Sequence, residues 1–68
     1  MRNWLKEARE AKGYTMAYVG EQIGITEAYY SLIERGERQK KMDITLVVKL
    51  AEIFGMTLEE VANLEKGE

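Results

Sequence analysis

The sequence predicts an all-α fold, a compact bundle of five short helices. Three observations carry this. Apolar residues recur at helical spacing through most of the chain. A residue with a short polar side chain stands before each apolar stretch, at Asn3, Thr15, Thr26, Asp43 and Thr57. A glycine closes four of the five stretches, at Gly13, Gly24, Gly36 and Gly55. Such side chains bond the open backbone N–H groups of a first helical turn, and glycine ends a helix without steric cost.

Asn3 is expected to cap a first helix of Trp4 to Lys12, with Leu5 and Ala8 as its inner stripe and Trp4 beside them. Thr15 caps a second helix that stops at Gly24, and Thr26 a third that stops at Gly36. Glu37 to Met42 is polar and basic and reads as a loop. Asp43 caps a fourth helix reaching about Phe54. Its opening, Ile-Thr-Leu-Val-Val, is rich in strand formers. The recurrence of Ile44, Val47, Ala51 and Phe54 is helical, however, and the run is too long for a strand. Thr57 and Glu60 have capping-box spacing for a fifth helix, Leu58 to Leu64. The tail from Glu65 to Glu68 is expected to fray. The expected core is Leu5, Ala8, Val19, Ile23, Tyr30, Ile33, Ile44, Val47, Leu50, Ala51, Phe54, Leu58 and Val61.

A chain of 68 residues suffices for one modest core, so residues 1–68 read as one domain. It contains neither cysteine nor histidine, which removes disulfides, thiolate metal sites and the commonest general base. No metal, cofactor or small-molecule substrate is expected. No nucleophile–base pair or glycine-rich phosphate loop points to an enzyme. The N-terminus lacks the apolar run of a signal peptide and no stretch is long enough to span a bilayer, so the expectation is a soluble, cytoplasmic protein. The formal charge is −2, unevenly spread. Residues 1–41 carry eight basic and six acidic side chains, and residues 42–68 carry two and six. Binding to a polyanion must therefore rest on a local patch rather than on the field of the whole protein.

The stretch Thr15 to Gly36 holds two short helices with almost no linker. Gly24 lies between them, Gly20 four positions earlier, and Val19, Ile23, Ile25 and Ile33 supply apolar contacts. This is the layout of a helix-turn-helix, a unit that sets its second helix into the major groove of DNA. A small residue is needed where the helices cross, and Gly20 provides it.

Leu5, Arg9, Lys12-Gly13, Tyr14-Thr15, Val19, Gly20, Ile23-Gly24-Ile25-Thr26 and Ile33-Glu34-Arg35-Gly36 follow in order. Lys49-Leu50-Ala51 and Phe54-Gly55-Met56-Thr57-Leu58 come after them. In these residues the chain resembles the phage-repressor and Cro-type helix-turn-helix family, also called XRE-like. The resemblance implies a five-helix, lambda-repressor-like DNA-binding domain, usually dimeric, that controls transcription. It implies that the start of the third helix reads bases, while the start of the second helix and the loop after the third hold phosphates. It also implies an ion pair between Arg9 and Glu34. The chain departs from the family in several places. Met16 stands where a glutamine often begins the second helix. Glu27, Ala28, Tyr29, Ser31 and Leu32 fill the reading positions. The loop after Gly36 is about two residues longer and has Met42 in place of the customary proline.

Residue by residue, Glu27 can accept from a cytosine amino group or favour the positive end of its helix. Ala28 and Leu32 suit a thymine methyl, and Ser31 a base or phosphate. These four are the expected base contacts. Thr15, Met16, Thr26, Tyr29, Arg35, Arg38, Lys40 and Lys41 are the expected phosphate contacts, with backbone N–H groups near Thr15 to Ala17 contributing. The resemblance implies that Tyr30 points inward, packed under the turn, and two adjacent tyrosines cannot both face DNA on a helix. Arg9 and Glu34 should brace the third helix against the first.

The expected function is a sequence-specific transcriptional regulator, a repressor, binding a palindromic double-stranded DNA operator as a homodimer. The alternative is a protein-interaction module that has kept the fold and lost DNA binding. Apolar surplus near the C-terminus places the dimer contact at Leu46, Met56, Ala62 or Leu64.

Overall fold

Four helices begin where a threonine or aspartate side chain turns back onto its own first turn. Thr15 Oγ1 accepts from Tyr18 N (3.0 Å), Thr26 Oγ1 from Tyr29 N (3.1 Å) and Asp43 Oδ1 from Leu46 N (2.9 Å). Thr57 and Glu60 close the full reciprocal box, at 3.0 and 2.8 Å. The computed structural model describes residues 1–67. It contains α1 (Asn3–Ala11), α2 (Met16–Ile23), α3 (Glu27–Glu34), α4 (Ile44–Phe54) and α5 (Leu58–Lys66). The described residues form no strand. The Ile-Thr-Leu-Val-Val run is helical, as its apolar spacing requires.

The start of α1 differs from expectation. Arg2, not Asn3, is the cap residue, and no side chain caps it. Arg2 N donates to the Glu34 carbonyl (2.7 Å), while Arg2 O accepts from Leu5 N and Lys6 N. Anchoring on α3 makes the chain enter its helix one residue early.

α2 packs chiefly on α3, α4 on α5 and on α2, and α1 on α3. The core is Trp4, Leu5, Val19, Ile23, Tyr30, Ile33, Leu46, Leu50, Ala51, Phe54 and Val61. Ala8 and Val47 lie half-buried against it. Two expected core residues are corrected. Ile44 is 67% and Leu58 48% exposed. Each is the first residue of its helix, where no neighbouring element overlies the turn. On α4 the buried stripe runs through Leu46, Leu50 and Phe54, rotated from the one that begins at Ile44. Leu46 therefore belongs to the interior and leaves the list of candidate dimer contacts. Trp4 is buried rather than beside the core, because its indole N–H reaches Glu65 Oε2 at 2.7 Å. A large ring enters an interior readily once its one donor is satisfied.

Two buried arginines hold α3. Arg9 Nε donates to Glu34 Oε2 at 2.7 Å, and its Nη1 to the Tyr14 carbonyl at 3.0 Å. Both side chains of this pair are nearly excluded from water. The bond to Glu34 raises the Arg9 pKa, against the opposing effect of burial. Beside them the Tyr30 ring is fully buried. Burial first, and the Glu34 carboxylate second, push its phenol well above the ordinary range. Arg2 holds the same C-terminal end of α3 through its backbone carbonyls. Its Nε donates to Glu65 Oε2 (2.8 Å), Nη1 to the carbonyls of Ile33 (2.7 Å) and Arg38 (3.1 Å), and Nη2 to the Gln39 carbonyl. The expectation that Glu65 lies in a frayed tail is thus corrected. Glu65 accepts from both Arg2 and Trp4, so α5 continues to Lys66; Glu68 lies outside the described residues.

Removing one partner of a buried pair strands the other charge. Arg9→Ala is expected to lower stability by about 3 kcal/mol or more. Lys12→Ala, at an exposed position, should stay within about 0.5 kcal/mol. Adding Glu34→Gln to Arg9→Ala should cost less than the two single changes summed. Glu65→Ala should lower stability by about 1–3 kcal/mol, since it leaves a buried donor and cation without their acceptor, whereas exposed Glu59→Ala should not. Urea unfolding of these variants, with Glu34→Gln alone included, checks all these outcomes.

Candidate nucleic-acid interface

The α2–α3 unit is set by two glycines that act differently. Gly24 ends α2 with φ 81°, a left-handed conformation that costs other L-residues about 1–2 kcal/mol. A Cβ there would meet nothing within 4 Å. The requirement is for backbone freedom and not for space. At Gly20 the reverse holds. The Ile25 N–H donates to the Gly20 carbonyl at 2.8 Å. A Cβ on Gly20 would lie 3.1 Å from the Ile25 carbonyl oxygen. The chain turns into α3 directly over this helical glycine. Lys49 Nζ donates to the Ile23 carbonyl at 3.3 Å, so α4 satisfies the end of α2.

Helical period then sorts α3. Tyr30, Ile33 and Glu34 are buried, Glu27 and Ala28 are exposed, and Tyr29, Ser31 and Leu32 are half-buried. The first turn of α3 thus projects Glu27 and Ala28 with nothing packed over them. Ser31 and Leu32 follow one turn later, half-buried. The Leu32 carbonyl accepts from Glu37 N at 2.9 Å.

The expected phosphate contacts separate into groups. Thr15 and Thr26 are exposed, and each hydroxyl oxygen already accepts a backbone bond. The hydroxyl hydrogens remain for an anionic acceptor. Met16 is half-buried and packs against the core, leaving its backbone N–H, in the open first turn of α2, as its polar contribution. Arg35 faces Glu37 at 3.2 Å, with both side chains more than half exposed, so its charge is shared with a neighbour. Arg38 is exposed and donates to the Glu37 carbonyl at 3.2 Å. Lys40 and Lys41 are exposed and line a groove with Met42, Val47, Ala62, Glu65 and Lys66. Tyr29 instead shares a groove with Ile25, Gln39, Asp43, Thr45 and Lys49. The basic run of the loop is therefore divided. Lys40 and Lys41 stand toward α5, while Gln39 turns toward α3.

Three residues beside α3 are not among the site residues expected from the sequence. Gln39 donates from Nε2 to Tyr29 Oη at 3.2 Å and accepts at Oε1 from Asp43 N at 3.2 Å. Thr45 and Lys49 complete the same groove. A glutamine inside a polar loop carries no signal. Thr45 and Lys49 lie on α4 beside its apolar stripe and read as solvent-facing positions. Among the described residues no cluster of three or more acidic, histidine or cysteine side chains is placed to hold a metal ion. No described helix is long and apolar enough to cross a membrane.

Introducing a branched side chain at the crossing should test the packing of this unit. Gly20→Val is expected to destabilise by about 1–3 kcal/mol through overpacking. Gly24→Asn should cost less than Gly24→Val, since asparagine tolerates left-handed backbone best. Equal losses at Gly24 in chemical denaturation would show that the turn is limited by space.

Two curated proteins are similar along nearly the whole chain. An uncharacterized HTH-type transcriptional regulator of Bacillus subtilis (strain 168), YgzD, is 33% identical over 97% of this chain and 97% of its own length. A second from the same organism, the uncharacterized HTH-type transcriptional regulator YqaF, is 35% identical over 97% of this chain and 90% of its own. No solved structure matches the chain. The family model described as helix-turn-helix matches residues 5–61, which takes in the Arg9–Glu34 brace, the Gly20 and Gly24 crossing and the exposed first turn of α3; the chain belongs to the helix-turn-helix family.

Proposed function

We propose that this chain is a sequence-specific transcriptional regulator that sets α3 into the major groove of double-stranded DNA. The observation that carries the reading is the uncovered first turn of α3. Glu27 and Ala28 project from a helix whose opposite face is buried and whose C-terminal end is braced by two arginines. A rigid helix with an open, polar N-terminal turn fits the depth and width of that groove. The names of the two Bacillus relatives, HTH-type transcriptional regulators, support the same role.

In this reading Glu27, Ala28, Ser31 and Leu32 face base edges. Thr15, the Met16 N–H, Thr26, Tyr29 and Arg38 meet phosphates close to α3. Lys40 and Lys41 meet them further out, toward α5. Arg35, already beside Glu37, adds least. The chain acts as a repressor by occupying a palindromic operator as a homodimer, in the cytoplasm, and carries out no reaction of its own. The two-fold contact falls to α5, where Ala62 and Leu64 are exposed together with Leu58; of the other candidates, Leu46 is buried in the interior and Met56 is half-buried against it.

Phosphate contacts position a protein, and base contacts give it sequence preference. Changing Lys40 and Lys41 together to alanine is expected to weaken binding to all duplexes alike. The log–log salt dependence should flatten by about one unit per lost contact. Glu27→Gln should instead change the preferred sequence, by about 1–3 kcal/mol at the affected base pair. Selection from a random duplex pool, followed by titration at two salt concentrations, measures both. Failure of the unmodified chain to retain any duplex at low salt would overturn the reading in favour of a protein-interaction module. Sedimentation at rising concentration, with and without the selected duplex, should show a dimer on DNA. A monomer under every condition removes the palindromic operator.

A further inference from the structure

Gln39 departs from the pattern of the chain. Gly13, Gly24, Gly36 and Gly55 all take positive φ, and among the described residues Gln39, at φ 54°, is the one residue with a side chain that does. A side chain kept where glycine would be unstrained is a pointer to something the side chain does. Here it makes two bonds that glycine cannot make. Oε1 accepts from the Asp43 backbone N–H and Nε2 donates to the Tyr29 hydroxyl, each at 3.2 Å.

The two bonds together decide a hydrogen position. An amide side chain can be turned either way, so its oxygen and nitrogen must be assigned from their partners. The Asp43 backbone N–H can only donate, and it therefore demands Oε1. Nε2 is left to face Tyr29, and an amide nitrogen can only donate. The Tyr29 oxygen must accept, and its own hydrogen is left for an acceptor elsewhere. The Gln39 backbone is itself pinned, because its carbonyl takes a bond from buried Arg2.

Tyr29 stands on α3 two residues after Glu27 and is half-buried, lining the groove with Thr45 and Lys49. We propose, on the reading of the chain as a DNA-binding protein, that Gln39 is a positioning residue for α3. It fixes Tyr29 as a hydrogen-bond donor, and that hydroxyl donates to a DNA phosphate oxygen in the groove between α3 and α4. A phosphate oxygen at physiological pH only accepts, which is the partner such a hydroxyl requires. Asp43, the acidic group of this groove, has Oδ1 committed to Leu46 N. Lys49 supplies a cation on the same wall.

The proposal separates from a merely structural role through Gln39→Glu. A carboxylate of the same shape keeps the bond from Asp43 N but cannot donate to Tyr29, so the tyrosine hydrogen turns inward and is consumed. Added negative charge also weakens DNA binding, and Tyr29→Phe provides the control for it. The probe is a fluorescein-labelled random-sequence duplex at low salt, titrated with the unmodified chain, Gln39→Glu, Gln39→Gly, Tyr29→Phe, and each Gln39 change combined with Tyr29→Phe. Tyr29→Phe should weaken binding about tenfold, as for loss of one hydrogen bond to a charged group. Gln39→Gly should weaken it severalfold with no loss of thermal stability, since the strained backbone relaxes. In a chain already carrying Tyr29→Phe, Gln39→Gly should have no further effect, and Gln39→Glu should show only its smaller charge effect. In nuclear magnetic resonance spectra, Tyr29→Phe should shift the Gln39 side-chain amide signals.

Full effects of the Gln39 changes in the Tyr29→Phe background would overturn the proposal, as would duplex binding indifferent to Tyr29→Phe. Either result leaves DNA binding itself intact. A wild-type chain that binds no duplex at all would instead remove the DNA reading, and this role with it.

Discussion

Two buried guanidinium groups hold α3, and the rest of the structure depends on them. A chain of this length buries too little apolar surface to fix every helix by packing alone. α3 is short, eight residues, and would be marginal in isolation. Arg9 ties its last residue, Glu34, to α1. Arg2 ties the carbonyls at its end and in the following loop to α5 through Glu65. Each arginine has enough acceptors to offset much of the cost of leaving water. The planar fork of donors is what allows one side chain to reach several acceptors at once, which lysine could not do. The outcome is a helix rigid at its C-terminal end and bare at its N-terminal end.

That asymmetry bears directly on recognition. A helix that must report sequence has to present the same side chains in the same places to every duplex it meets. The Gly20–Ile25 crossing and the Thr26 cap set where α3 begins. The clamps at Glu34 and Ile33 set where it ends. Between them Tyr30 and Ile33 fill the interior, and the residues left facing out are the ones with short or adaptable ends. Gln39 extends the same arrangement into the loop, since it links the clamp at Arg2 with Tyr29 and with the start of α4.

An acidic protein that binds a polyanion needs its charges sorted, and the fold does this. The formal charge of −2 includes carboxylates that no duplex would meet as free charges. Glu34 is buried against Arg9 and Glu65 is bound by Arg2 and Trp4. Glu59 and Glu60 favour the positive end of α5. The same sorting removes cations as well. Arg2 and Arg9 are consumed inside, and Arg35 is shared with Glu37. Arg38, Lys40 and Lys41 are the exposed cations of the loop after α3, and Lys49 adds one on α4 beside Tyr29, so any salt dependence of binding falls largely on these four.

The sequence by itself determined the helices, because their signals are local. Caps act over three residues and apolar spacing over four, and Thr15, Thr26, Asp43, Thr57, Gly24 and Gly55 each lie beside the backbone they govern. The helix-turn-helix was legible for the same reason, and the family resemblance then placed Tyr30 inward. Family resemblance added Arg9 with Glu34, a pair 25 residues apart that no local pattern announces. Tertiary structure alone decided what depends on the meeting of distant segments. Which side of α4 faces inward was one such matter, and it moved Leu46 into the core and left Ile44 outside. Another was the fate of Glu65, which reads as a fraying tail until Arg2 and Trp4, more than sixty residues away, are brought against it. The division of the basic loop, with Lys40 and Lys41 toward α5 and Gln39 toward Tyr29, was a third. A loop's direction is set by the anchors at its two ends, and those anchors exist only once the helices have packed.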